Sequence, residues 1–177
     1  MVEWLKLVDK ARSRSIWMLM YCTGCGAMEL PPAMTSRFDM ERFGIMPMAT
    51  PRQADVILVT GYVTKKTLKR IIYAYEQMPA PKWVVSHGSC PINGGVYWDS
   101  HATVNRLDLF LPVDLYVAGC MPRAEANMKM FTELMDMIAK GEARGWEEYV
   151  KNRDYYKENQ RKLFGYDLVF TDGRSAL

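Results

Sequence analysis

Four short apolar runs set the frame of this chain: residues 15–21 (SIWMLMY), 55–60 (DVILVT), 82–86 (KWVVS) and 113–118 (VDLYVA). Each is continuous rather than alternating. A strand with one wet face alternates; a strand covered on both faces does not, and that is the habit of parallel sheets. Parallel strands need long crossovers, and the intervals here carry helical patterns. Thr64 is placed to cap a helix running to Met78, with Leu68, Ile71, Ile72 and Tyr75 on one face and Pro79 as its stop. Pro122 suits the first turn of another helix. There Ala124, Met128, Phe131, Met135 and Ile138 form an apolar stripe, and Gly141 follows it. Strands alternating with helices predict an α/β fold, an open parallel sheet of about four strands flanked by helices.

The two ends differ from this middle. In residues 2–14, Trp4, Leu5, Leu7, Val8 and Ala11 fall at helical spacing opposite Lys6, Lys10, Arg12 and Arg14. This reads as an amphipathic helix that either docks at the domain edge or makes peripheral membrane contact, apolar face in the headgroup layer. From residue 145 onward, Trp146, Tyr149, Tyr155, Tyr156 and Phe164 are interleaved with charges. That is expected of a surface helix and tail lying on a partner, with residues 171–177 free of pattern. The predicted division is therefore 1–14, 15–144 and 145–177.

With 177 residues, 49% of them hydrophobic, the chain can build a real core, which excludes whole-chain disorder. No run approaches the roughly 18 apolar residues of a membrane span. A net charge of +3 is too small to imply nucleic acid. No charged–apolar–small signal opens the sequence, so a reducing cytosolic side is expected. Fourteen methionines suit adaptable contact surfaces.

In a reducing compartment, patterned cysteines suggest metal or redox chemistry. The four are Cys22, Cys25, Cys90 and Cys120. Cys22 and Cys25 form a C-x-x-C just past the first predicted strand. Cys90 follows the third, in Ser86-His87-Gly88-Ser89-Cys90-Pro91, and Cys120 follows the fourth, in Ala118-Gly119-Cys120-Met121-Pro122. All four thus sit at carboxyl ends of parallel strands, where open α/β sheets bind ligands. The loops are rich in glycine: Gly24, Gly26, Gly88, Gly94, Gly95 and Gly119. Their backbone N–H groups can surround an anionic cluster. A [4Fe–4S] cluster takes four thiolates across long loops. A structural zinc takes the same donors, a thioredoxin-like dithiol would use only Cys22 and Cys25, and unrelated core cysteines are the plain reading. His87 adjoins the third loop, where it would tune a cluster, carry a proton, or simply be a hydrogen-bonded structural histidine; His101 is a weaker signal. Glu29 reads as a proton relay or as a helix-start carboxylate.

Several motifs recur in an order that carries a resemblance. They are Cys22-Thr23-Gly24-Cys25, Arg42-Phe43-Gly44-Ile45, Pro51-Arg52-Gln53-Ala54-Asp55, Gly61-x-Val63-Thr64, Gly88-Ser89-Cys90, Pro112-Val113-Asp114 and Gly119-Cys120-x-Pro122, with x any residue. Over roughly residues 15–140 the chain resembles the B-subunit family of respiratory complex I and the small subunits of membrane-bound [NiFe] hydrogenases. The resemblance implies a flavodoxin-like domain holding one [4Fe–4S] cluster on Cys22, Cys25, Cys90 and Cys120, with Gly24, Gly88, Gly119, His87 and Glu29 around it. Complex I subunits of this type have two adjacent cysteines first; the spaced Cys22 and Cys25 here follow the hydrogenase arrangement. The runs 22–32 and 87–98 look most like the branch found in archaeal membrane-bound sulfane sulfur reductases.

By that resemblance the chain is an electron-transfer subunit of an ion-pumping membrane oxidoreductase, with the substrate site mainly on another subunit. Its implied partners are a hydrogenase-like large subunit, a two-cluster ferredoxin-like subunit and membrane subunits of the pumping arm, at the cytoplasmic face of the membrane. Sulfane sulfur or polysulfide reduction is the favoured activity. A [NiFe] hydrogenase or a complex I-like quinone reductase would use the same subunit in the same role. The different-class alternative is a zinc-stabilised interaction protein.

Overall fold

The computed structural model describes residues 2–166 and 168. The chain order is α1 (Val2–Arg12), β1 (Ile16–Cys22), α2 (Gly26–Met34), β2 (Ile45–Met48), β3 (Val56–Thr60), α3 (Lys65–Gln77), β4 (Trp83–His87), α4 (Ser89–Asn93), β5 (Leu115–Val117), α5 (Ala124–Lys140), α6 (Gly145–Lys151) and α7 (Arg153–Phe164). Five strands form one sheet in the order β2-β1-β3-β4-β5, and every pairing is parallel. This is the flavodoxin-like order, with its switch point between β1 and β3.

The central strands explain their own continuous hydrophobicity. Every residue of β3 and of β4 is buried. Ile57, Val59 and Val84 pack on one face with Leu68, Ile71, Ile72 and Tyr75 of α3. Val56, Leu58, Trp83 and Val85 pack on the other with Leu30 of α2 and Phe131 and Leu134 of α5. Alternate residues serve opposite faces, and both faces are dry.

Two expectations from the sequence are corrected here, and the expected open parallel sheet gains a strand: it has five where about four were expected. The additional one, β2, is four residues long, contains Pro47 and lies at an edge, where a missing N–H is tolerated. Pro122 stands before α5 rather than in its first turn, since Arg123 is the N-cap. The aromatic tail does not lie wholly on a partner. Tyr149 and Tyr156 are buried against Tyr75 in this chain's own core, and the Tyr149 hydroxyl donates to Glu76 Oε1 at 2.6 Å. The aromatic–charge alternation reflects a helix pair covering its own sheet. Thr64 caps α3 through a reciprocal pair of bonds with Thr67, and Gly141 closes α5 in the left-handed conformation. The side chains of Trp4, Leu5 and Lys6, and the predicted loose end at 171–177, lie outside the described residues.

Two aspartates fix the strands at the end of the sheet away from the cysteines. Asp55, just before β3, accepts from Trp17 N–H at 2.9 Å. Asp114, just before β5, accepts from Val84 N–H at 2.9 Å and from Gly145 N–H at 2.8 Å. Each carboxylate satisfies backbone donors beside a neighbouring strand, which sets the relative heights of the loops at the other end.

Candidate functional site

At the carboxyl edge three loops carry the four cysteines. Cys22 is the last residue of β1 and Cys25 is the N-cap of α2. Cys90 lies in α4, directly after β4. Cys120 lies between β5 and α5. Backbone bonds hold these loops side by side. Gly88 N–H donates to Val117 O at 2.7 Å and Ser89 N–H to Gly119 O at 2.8 Å, which ties the Cys90 loop to the Cys120 loop. Thr23 N–H donates to Thr60 O at 3.0 Å, and the Thr23 hydroxyl bonds the Tyr62 carbonyl.

Cys25, Cys90 and Cys120 line a narrow cleft of about 20 Å³ together with Thr60, His87 and Gly119. A shallower basin of about 550 Å³ shares Ser89 and Cys120 with it. Cys22 is outside the lining of both; its thiol donates to the Gly24 carbonyl at 3.1 Å. All four cysteines are free. Burial pushes the Cys90 thiol up, and the charges of Cys120 and Cys25 push it further. Thiolates gathered in this way repel unless positive charge lies between them. Metal coordination would reverse that balance, because a bound metal deprotonates its thiols outright.

The surrounding backbone is cut to leave room. A Cβ on Gly95 would stand 3.0 Å from Cys90 Sγ, and one on Gly26 would overlap the Thr60 side chain. Gly24 lies against the Tyr62 ring, Gly88 caps α4, and Gly119 accepts from Ser89. Among the described residues no three His, Cys, Asp or Glu side chains close on a single-ion site. Four free thiols on glycine-lined loops are a donor set that fits a [4Fe–4S] cluster.

His87 is fully buried and lies in the cleft wall. Burial lowers its pKa, against an opposing hydrogen bond to Asn127 Oδ1. Glu29 is half-buried in the first turn of α2, and its backbone carbonyl accepts from Asn127 Nδ2 at 3.2 Å. His101 is exposed beside Lys65 and Lys66, away from the cysteines. Sequence patterns alone did not single out Thr60, Asn127 or the rim pair Tyr62 and Tyr97, whose rings meet edge-on at 5.2 Å. Asn127 had a legible signal: it is a polar residue at an apolar position of the α5 stripe.

Residues 22–134 match the family described as NADH ubiquinone oxidoreductase, 20 Kd subunit. The B subunit of the F(420)H(2) dehydrogenase of Methanosarcina mazei is 40% identical over 141 residues, covering 80% of this chain and 77% of that protein. The B subunit of the NADH-quinone oxidoreductase of Citrifermentans bemidjiense is 47% identical over 133 residues, covering 75% of this chain and 78% of that protein. Among solved structures, a chain of the membrane-bound sulfane sulfur reductase, an archaeal respiratory membrane complex, is 56% identical with a TM-score of 0.86, covering 90% of both chains.

Proposed function

This chain belongs to the family of the 20 kDa subunit of NADH:ubiquinone oxidoreductase, and from that premise we propose that it is an electron-transfer subunit holding one [4Fe–4S] cluster. It is a subunit of a multi-subunit oxidoreductase, as its relatives are. The observation that carries the proposal is the gathering of four cysteines, on three loops, at one edge of the sheet. Cys22, Cys25, Cys90 and Cys120 would be the ligands. A bound cluster would supply one-electron storage at a potential set by burial, nearby charge and hydrogen bonds to sulfur. The chain's own contribution is to place the thiols and to keep the inner wall dry: Thr60 and His87 are fully buried behind them. Tyr62 and Tyr97 stand at the cleft, half-exposed, where a neighbouring subunit would approach.

The assembly we favour is a membrane-bound sulfane sulfur reductase, because identity is higher to that complex than to the Methanosarcina mazei and Citrifermentans bemidjiense relatives. Its substrate site would lie on a hydrogenase-like large subunit, fed through a two-cluster ferredoxin-like subunit. Among the described residues no helix is long and apolar enough to cross a membrane. Attachment would therefore run through membrane subunits and α1, at the cytoplasmic face.

Iron and acid-labile sulfide in the anaerobically purified complex, with EPR of the reduced state, test the cluster against a zinc site. The wild type should show iron, sulfide and a signal assignable to this subunit. Cys90→Ala should abolish that signal or block assembly. A wild-type spectrum in that variant overturns the four-cysteine assignment, and stoichiometric zinc without sulfide overturns the redox role.

A further inference from the structure

The polar residues behind the thiols form a connected network that no single motif above joins. Asn127 of α5 is fully buried on a helix face otherwise made of Ala124, Met130, Phe131, Leu134, Met135 and Ile138. Its Nδ2 donates to the Glu29 carbonyl at 3.2 Å. Its Oδ1 lies 2.6 Å from His87 Nε2, and His87 Nδ1 lies 3.0 Å from Thr60 Oγ1.

The chemistry of these atoms fixes every proton. A backbone carbonyl can only accept, so the amide nitrogen of Asn127 must face Glu29. The amide oxygen therefore faces His87, and Nε2 must carry the hydrogen. A neutral ring then presents a bare Nδ1, which accepts from the Thr60 hydroxyl. The imidazole is thus held in one tautomer and one orientation from both sides.

The same bonds span the site. Glu29 lies in the first turn of α2, four residues beyond Cys25. His87 ends β4, directly before the Cys90 loop. Asn127 is in the first turn of α5, which follows the Cys120 loop. The Cys25 loop also rests on the network through Gly26, where any side chain would collide with Thr60. We propose that Asn127 is a positioning residue that locks His87 in its Nε2–H form and sets the spacing of the Cys25, Cys90 and Cys120 loops, and with it the electronic character of the group they hold. This inference rests on the cluster reading above.

Three variants in the assembled complex test it. Asn127→Leu keeps the volume and removes both bonds. Asn127→Asp keeps the acceptor for His87 but loses the donor to Glu29. Met130→Ala, on the same helix, is the packing control. The readouts are the reduced-state EPR g-values, the midpoint potential, the rate of iron loss to a chelator, and amide exchange across residues 26–30. Asn127→Leu should shift the g-values and potential, lose iron several-fold faster and exchange faster at 26–30. Asn127→Asp should keep g-values nearer the wild type while exchange at 26–30 rises. Met130→Ala should lower thermal stability with the spectrum unchanged. If Asn127→Leu does not assemble, Thr60→Val, which deletes only the hydroxyl facing Nδ1, takes its place and should shift the potential. A wild-type spectrum, potential and exchange rate in Asn127→Leu, or in Thr60→Val where that is used, overturns the proposal. A wild-type complex with no cluster signal overturns the cluster reading instead, and the exchange measurement then still decides whether Asn127 positions the Cys25 loop.

Discussion

Single atoms decide how closely the loops pack. Gly26 sits where an added methyl would occupy the space of the Thr60 side chain. Overpacking of that kind costs about 1–3 kcal/mol, and here it would act on the Cys25 loop directly. Gly26→Ala should therefore lower cluster occupancy, read as iron per complex, more than a comparable change on the far end of the sheet. Asp114 offers a pH-dependent counterpart. Burial raises its pKa to about 6, against the bonds from Val84 and Gly145 that lower it. A carboxyl whose folded pKa exceeds its unfolded value holds more protons when folded, so stability falls as pH rises between the two values. The window runs from the ordinary 3.8 up to about 6. The loss is on the order of 2–3 kcal/mol, at about 1.4 kcal/mol per unit. Thermal unfolding of the complex from pH 4 to 7 should show this decline, and Asp114→Asn should flatten it while lowering stability, since an amide accepts at one position only. An unchanged slope in the variant would assign the pH dependence elsewhere.

Elements differ in how openly the sequence declares them. The buried strands β3 and β4 were legible because both faces are apolar, and α3 because Thr64 and Pro79 bracket it. The short edge strand β2 was not, because its pairing to β1 fixes it, and pairing is invisible in a four-residue run containing proline. The cysteines were legible as a group because each lies at or just past the carboxyl end of a recognisable strand. The network behind them was hidden because Thr60, His87 and Asn127 are far apart in sequence and meet only through the sheet. Helix α1 is a mixed case. It packs against α5, yet Leu7 is 60% exposed. Between the two helices lies a cavity of about 660 Å³ whose lining includes Lys10, Arg14, Lys140 and Asp136 together with Phe43 and Met135. Basic residues near anionic lipid add on the order of 1 kcal/mol each, enough to assist attachment and too little to anchor a subunit alone. Deleting residues 2–12 should leave the EPR signal in place and loosen the soluble arm from membranes, measured by sedimentation with vesicles. Unchanged membrane association would make α1 a local docking helix only.

At the scale of the whole molecule, the thiol-bearing edge carries a concentration of exposed apolar side chains. Val96 is 73% exposed and Trp98 66% exposed, and both line the basin that contains Cys120. Tyr62 and Tyr97 stand beside them at the cleft, and Met28 is exposed in the first turn of α2, after Cys25. Large apolar side chains clustered around a polar mouth mark a contact surface rather than a solvated one. On the proposed electron-transfer role, subunits must approach closely with water excluded, so the same residues that would cost solubility in the free chain would serve the assembled one. The isolated chain, reconstituted anaerobically, should therefore aggregate or lose its cluster, whereas the assembled complex retains it. Val96→Asp with Trp98→Asp separates the two effects, because neither residue belongs to the core. The double variant should raise the soluble fraction of the isolated chain in analytical size exclusion and should fail to co-purify with the rest of the complex. If it co-purifies at wild-type yield, the apolar edge is not the docking face, and the neighbouring subunit must approach the cysteines from another side.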